Sequence, residues 1–354
     1  MLTLHKTDDA VPLVSLYETA YKSGKLGAKS TQRPKKKVDT VYFTHDLTDD
    51  NTNSASARGV LLLHKDELKK EMHIANHEFD ELCDMIDDDR EPEHDHTLRH
   101  HYWEIRKHYD DYLKREMYLG DTDDVMFELN LPEKRSDWPG THTMIGNSGA
   151  GKTKYLSDML LRYLKRTPMH STRPIFWLSP EVKIDKTLED IKHEKYNMFF
   201  RPIDISEQGL KDSGLDAGSY YKKTIEDPIV EGGHDALICL DDFPDGAKAL
   251  YPYLRDFFNT SLRTARHRNS GIFSLQHTYA GNKNTTQALQ SNKYITFFPR
   301  SQQQRCIQFM RDHLLLKTNK AKAITSRFAK LGRAMTIQMH SPVCIFNSKY
   351  LVLL

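Results

Sequence analysis

Cysteine is scarce in this chain. Four stand in 354 residues (Cys83, Cys239, Cys306 and Cys344), and no two form a Cys-x-x-Cys pair. A disulfide framework and a thiolate zinc site are therefore not expected, and a reducing compartment fits. Long apolar runs are also missing. No stretch approaches the roughly 18 residues needed to span a bilayer, so no membrane span is expected. The opening residues, MLTLHKTDDA, lack the apolar centre of a secretory leader, so secretion is not expected. Net charge is nearly absent as well, at +2. What is present is a polar composition, 38% apolar and 28% charged, that can still bury a sizeable core. The length exceeds one average domain and falls short of three.

The small net charge hides a division. Residues 261–354 hold fifteen Lys/Arg against a single acid, Asp312, for a net +14, and residues 1–260 carry −12. Such asymmetry points to a polyanionic partner for the C-terminal part.

The pattern changes near residue 135. Residues 1–58 are mixed and turn-rich, with the basic run RPKKKV at 33–38 and the polar stretch DLTDDNTNSASARG, and read as loop or extended arm. RPKKKV also has the form of a nuclear-import address. Apolar residues at helical spacing predict helices over 65–88 and 97–118, joined by an acidic turn into a helical hairpin. LPEKRSDWPG then supplies the breakers of a linker. From residue 141, short apolar runs alternate with helical segments. Strands are expected at 142–146, 174–179, 197–201, 236–241, 271–276 and 293–299, and helices at 152–165 and 247–264. This alternation predicts an α/β fold with a mostly parallel sheet covered on both faces. The tail, AMTIQMHSPVCIFNSKYLVLL, reads as two further strands around Ser341-Pro342. The expected domains are an N-terminal region 1–135, a core 136–300, and a basic C-terminal segment 301–354 whose edge strands complete the core.

Residues 146–153, GNSGAGKT, match the phosphate-binding pattern G-x-x-x-x-G-K-[ST] in full, after an apolar strand and at the start of a helix. Gly146, Asn147, Ser148, Gly149, Ala150 and Gly151 form a tight loop whose amides can face a phosphate, helped by the helix dipole. Lys152 is placed to reach the β- and γ-phosphates and Thr153 to bind Mg²⁺. About ninety residues on, ALICLDDF is an apolar strand ending in Asp241 and Asp242. The first suits a metal role, the second a role in orienting or deprotonating water. Asp242 is one methylene shorter than the Glu common at this position. Strand 271–276 ends in Gln276, which could touch a γ-phosphate. Before it stands RTARHRNSG, whose Arg263, Arg266 and Arg268 include a candidate trans-acting arginine, with Arg266 the best single choice. The guanine signature Asn-Lys-x-Asp is absent, since TNKA at 318–321 continues into Lys322. ATP is therefore expected over GTP.

Taken together, GNSGAGKT, PIFWLSP, ALICLDDF and RTARHRNSGIFSLQH resemble the genome-packaging ATPases of large double-stranded DNA viruses and virophages, within the FtsK–HerA superfamily. The resemblance covers residues 138–300. It implies a RecA-like P-loop core, preceded here by a helical N-terminal region, and a homo-oligomeric ring of five or six subunits. It further implies ATP and Mg²⁺ as cofactors, double-stranded DNA as substrate, and a capsid vertex or portal-type protein as partner. The matching site residues are Gly146–Thr153, Asp241, Asp242, Gln276 and an arginine in 263–268. Such a motor would work in the host cytoplasm or nucleus, in a virus factory, or in the virion.

Residues 300–333 carry nine basic residues against Asp312 and suit a DNA-facing surface, with Arg311, Lys317, Lys320 and Lys322 as candidates, joined by Lys283 after Gln276. An acidic partner such as the N-terminal region fits the same charge. Histidines 94, 96, 100 and 101 cluster beside acids but read as solvated rather than metal-binding. The expected function is ATP-driven translocation of double-stranded DNA to package a viral genome. A cellular or plasmid-type translocase or helicase, a P-loop small-molecule kinase, and a non-motor DNA-binding protein with a regulatory nucleotide site are the alternatives.

Overall fold

In a computed structural model, the structure describes residues 2–3, 11–22, 31–43, 57–88, 90–92, 95–119, 125–129, 131–132, 134–192, 194–232, 235–277, 291–340 and 342–354. The chain divides into two units. Unit 1 comprises residues 1–129, 326–332 and 342–354, and unit 2 comprises 130–325 and 333–341. The first division falls a few residues before the expected boundary at 135. The expected C-terminal segment 301–354 does not form one block, because two of its pieces group with unit 1.

Among the described residues of 1–58, paired strands stand where much of the stretch was expected to be loop or extended arm. Strands β1 (Leu2–Thr3), β2 (Val11–Lys22) and β3 (Thr31–Phe43) join an antiparallel sheet in the order β1-β3-β2-β5, with RPKKKV inside β3. Register shifts after Pro12, Leu16 and Glu18 accommodate a long pairing whose polar residues do not alternate cleanly, which is why no period-2 pattern is visible there. The expected helix 65–88 is two helices, α1 (Ala57–Met72) and α2 (Asn76–Asp87), because His73 turns the chain with φ 56°. Helix α3 (His96–Arg115) starts where Asp95 accepts from the amides of Thr97 and Leu98. It ends earlier than expected, at β4 (Glu116–Tyr118), and β5 (Val125–Glu128) follows. The helices bury Leu61, Leu68, Phe79, Leu82, Ile86, Tyr102 and Ile105 together.

Unit 2 holds β6 (Thr141–Ile145), α4 (Lys152–Arg166), β7 (Ile175–Ser179), α5 (Glu189–Lys192), α6 (Glu194–Asn197), β8 (Phe200–Asp204), α7 (Glu207–Ser213), α8 (Ala217–Tyr221), α9 (Asp227–Glu231), β9 (Leu237–Asp241), α10 (Tyr251–Thr264), β10 (Gly271–Gln276), β11 (Tyr294–Phe297) and α11 (Pro299–Leu314). Helix α12 (Thr318–Leu331) begins in this unit, and β12 (Met335–Gln338) belongs to it. The tail has three strands rather than two, since β13 (Cys344–Phe346) and β14 (Tyr350–Leu353) follow β12; in unit 1 they extend β4 in the order β4-β14-β13.

The strand order of unit 2 is β12-β11-β6-β10-β9-β7-β8, parallel except for β12. Strands β6, β7 and β9 are buried along their whole length, as near-continuous apolar runs in a sheet covered on both faces should be. One face packs Phe176, Leu178, Ile238 and Leu240 against Leu250, Leu254 and Phe258 of the α10 region. Helix α10 starts four residues later than expected, with Pro252 in its first turn where the missing N–H costs nothing. Strand β8 lies three residues beyond the expected 197–201 because α6 runs through Asn197. At the strands' N-terminal edge, buried Arg173 donates to Asp235 Oδ1 (2.6 Å) and to the carbonyls of Arg135 (2.5 Å) and Asp137 (2.7 Å).

A buried polar chain crosses this sheet. His142 Nε2 lies 2.7 Å from Thr296 Oγ1, which lies 2.7 Å from Thr336 Oγ1. Burial lowers the His142 pKa to about 3 from 6.5. The folded state thus binds the proton less well than the unfolded one. This contribution to stability is whole above pH 6.5 and is lost as the pH falls toward 3. His142→Val is expected to flatten that acid limb, by up to about 1.4 kcal/mol per pH unit, in urea midpoints taken between pH 7 and 4.5. An unchanged slope would contradict the assignment.

Candidate active site

The loop between β6 and α4 is shaped by glycine. Gly149 and Gly151 have φ of 73° and 97°, which other residues rarely adopt. Ala150 N–H closes a turn on the Asn147 carbonyl (3.1 Å). Gly146 N–H donates to the Gln276 carbonyl (3.1 Å), tying the loop to the tip of the neighbouring strand. Gly151 caps α4 without a side chain, so the first helical amides remain available to an anion.

Lys152 is 5% exposed, and its Nζ donates to the Gly146 carbonyl at 3.0 Å. Burial lowers its pKa, while Asp242 and Asp241 oppose that shift. Thr153 Oγ1 donates to Asp241 Oδ2 at 3.3 Å. Asp241 is 4% exposed, and its other oxygen has no hydrogen-bond partner. Burial, with the charge of Asp242 adding and Lys152 opposing, raises its pKa to about 7. A buried carboxylate oxygen without a donor, next to a threonine hydroxyl, is the hard oxygen set that Mg²⁺ takes. The residues present therefore fit the metal.

Asp242 sits in the left-handed region at φ 45°, turning the chain sharply at the strand end. Its Oδ1 lies 3.3 Å from His277 Nε2. His277 Nδ1 in turn lies 3.4 Å from Lys152 Nζ. The His277 ring thus stands between the lysine and the second aspartate. Asp245 adds a carboxylate within 4.8 Å of the facing Asp242 and His277 atoms, which makes this trio a second place where side-chain ligands gather, beside the Thr153 and Asp241 oxygens.

The position at the tip of β10 differs from expectation. Gln276 Nε2 donates to Ser274 Oγ (2.9 Å) on its own strand, and the contacts with Lys152 and Asp242 come from His277. The two are adjacent in the chain, and either type could serve there. Three further residues escape a reading of the sequence because they are remote in the chain. Gln302 Nε2 donates to Asn147 Oδ1 (2.5 Å) and to the His277 carbonyl (2.8 Å). Arg305 Nη1 donates to that same carbonyl (3.2 Å). Arg333 Nε donates to the Ala150 carbonyl (2.7 Å).

Arg263, Arg266 and Arg268 are exposed before β10, at the opposite end of that strand from His277. Six strand residues span about 20 Å, so Arg266 does not reach the phosphate loop of its own unit. Arg311, Lys317, Lys320 and Lys322 are exposed around the turn between α11 and α12, where Leu315 is 87% exposed. Lys283 and His94 lie outside the described residues. His101 Nδ1 meets Glu78 at 2.7 Å.

The basic segment is more divided than its composition implies. Besides Arg305 and Arg333, Arg327 is taken inside unit 1. Its Nη2 donates to His64 Nδ1 (2.8 Å), and its Nη1 donates to Tyr350 OH (3.0 Å). His64 Nε2 pairs with buried Glu116 (2.7 Å).

A phosphate loop after a central parallel strand, with a buried Asp at the tip of the next strand but one, defines a RecA-like P-loop NTPase fold. Solved structures that match part of the chain include the genome packaging NTPase B204 from Sulfolobus turreted icosahedral virus 2, in complex with ATP-gammaS. It is 11% identical over 59% of this chain and 96% of that one, with a TM-score of 0.36. The pCW3 conjugation coupling protein TcpA, in monomer form with ATPgS, is 14% identical over 66% and 65%, with a TM-score of 0.35. The cytoplasmic domain of the Thermomonospora curvata Type VII secretion ATPase EccC is 13% identical over 66% and 28%, with a TM-score of 0.37. No family model matches the chain, and no curated protein matches it.

Asp241→Asn removes a half-satisfied buried charge while keeping an acceptor for Thr153. It is expected to raise the thermal midpoint of the metal-free protein by a few degrees and to abolish nucleotide hydrolysis. A lowered midpoint in calorimetry would contradict this.

Proposed function

We propose that this chain is an ATP-driven translocase of double-stranded DNA that packages a viral genome into a preformed capsid. The observation that carries the nucleotide part is the convergence of Lys152, Thr153, Asp241, Asp242 and His277 around the glycine loop. The DNA part is supported by exposed Arg311, Lys317, Lys320 and Lys322, which nothing acidic but Asp312 accompanies from residue 261 onward. The packaging part is supported by the motif resemblance over residues 138–300.

In this reading the loop amides and the α4 dipole bind the phosphates, and Lys152 exchanges the Gly146 carbonyl for a phosphate oxygen. Thr153 and Asp241 would hold Mg²⁺, which when bound neutralises charge on the phosphates. Asp242 orients the attacking water and accepts its proton. His277 takes the sensing position at the strand tip that the sequence pattern assigns to Gln276. Arg266 serves the nucleotide of a neighbouring subunit in a ring, because it cannot serve its own.

Duplex DNA is expected to stimulate ATP turnover, and Lys152→Ala to abolish it. Equal turnover with and without DNA would contradict the motor and favour a small-molecule kinase. Neutralising Lys317, Lys320 and Lys322 together should flatten the salt dependence of duplex binding, by roughly 0.9 in log–log slope for each phosphate no longer neutralised. An unchanged slope would place the DNA surface elsewhere.

A further inference from the structure

We propose that Arg333 is a positioning residue for the phosphate loop, holding the Gly151 amide inward from behind; this rests on the nucleotide reading above. Arg333 lies about 180 residues after the loop, and by composition it belongs to the basic excess available to a polyanion. Its guanidinium instead lies against the outer side of the loop. Nε donates to the Ala150 carbonyl at 2.7 Å, and Nη2 donates to the Gly149 carbonyl at 3.3 Å. The approach is so close that a Cβ on Gly151 would come within 2.6 Å of the guanidinium carbon and Nη2. Gly151 is favoured by its φ of 97°, and a side chain there would also displace the Arg333 guanidinium from the loop.

The consequence follows from the planar trans peptide, in which C=O and N–H point opposite ways. With the Ala150 carbonyl drawn outward to Arg333, the N–H of Gly151 in the same peptide is turned inward, toward the phosphate position. The preceding peptide is held at both ends, since its Gly149 carbonyl meets Nη2 of the same guanidinium and its N–H, on Ala150, closes on the Asn147 carbonyl. Without Arg333, the freedom of Gly151 makes a flip of its peptide cheap, and a flip would aim a carbonyl dipole at an anion. A charge-assisted fork is suited to prevent that, and an ammonium on a flexible stem is not.

The test is calorimetric titration of the full chain with ATP and with inorganic triphosphate, which occupies the loop without a nucleoside. R333A and R333K are each expected to weaken both ligands about tenfold, with a raised KM for ATP and a smaller change in kcat. Wild-type affinity in R333K would show that charge alone matters and overturn the proposal, as would wild-type affinity in R333A. Loss for ATP but not for triphosphate would place Arg333 on the nucleoside and also overturn it. R333K keeps the long stem if R333A folds poorly. Failure of the wild type to bind triphosphate, or unchanged binding in Lys152→Ala, would instead overturn the nucleotide reading itself.

Discussion

A phosphate loop has almost no side chains with which to hold its own shape, so its geometry depends on what grips its backbone. Here the grip comes from several directions. The Gly146 amide is tied to the Gln276 carbonyl and the Gly146 carbonyl to Lys152. Asn147 is held by Gln302, and the Ala150 carbonyl by Arg333. The parallel sheet makes these ties possible by ending β6 and β10 side by side, with Ile145 opposite Gln276. Burial then sets the electrostatics. In a site buried enough to raise Asp241 to about 7 and to lower Lys152, a cation finds an Asp241 oxygen without a hydrogen-bond partner, and a polyphosphate finds the Lys152 ammonium beside the loop.

Most of this site is legible in the sequence because its chemistry is local. GNSGAGKT follows its strand directly, and Asp241 ends an apolar run that could only be a buried strand. Side-chain direction and long-range return are not legible in the same way. Gln276 and His277 are adjacent, and no periodicity says which of them turns toward Lys152. Gln302 and Arg333 reach the loop only because α11 and β12 return to it. In unit 1 the long β2–β3 pairing is hidden by its register shifts, and a single residue with positive φ, His73, splits one expected helix into two.

The charge division acquires a sharper meaning. Arg305, Arg327 and Arg333 are structural cations, used on the His277 carbonyl, on His64 and Tyr350, and on the phosphate loop. One part of the basic excess thus answers the acids of unit 1 within the same chain, since Arg327 lies 3.4 Å from Glu67 and 4.0 Å from Glu116. The part left to solvent includes the turn between α11 and α12, with Arg311, Lys317, Lys320 and Lys322, and the segment before β10, with Arg263, Arg266 and Arg268. The proposed translocation would need such a surface, since phosphate contacts hold a duplex without reading its bases.

The central claim is that hydrolysis at this site moves the protein along duplex DNA, and displacement of a third strand from a DNA triplex tests it most directly. The wild type with ATP and Mg²⁺ should release the third strand, and neither a non-hydrolysable analogue nor Lys152→Ala should support release. Turnover stimulated by DNA with the third strand left in place would contradict the account.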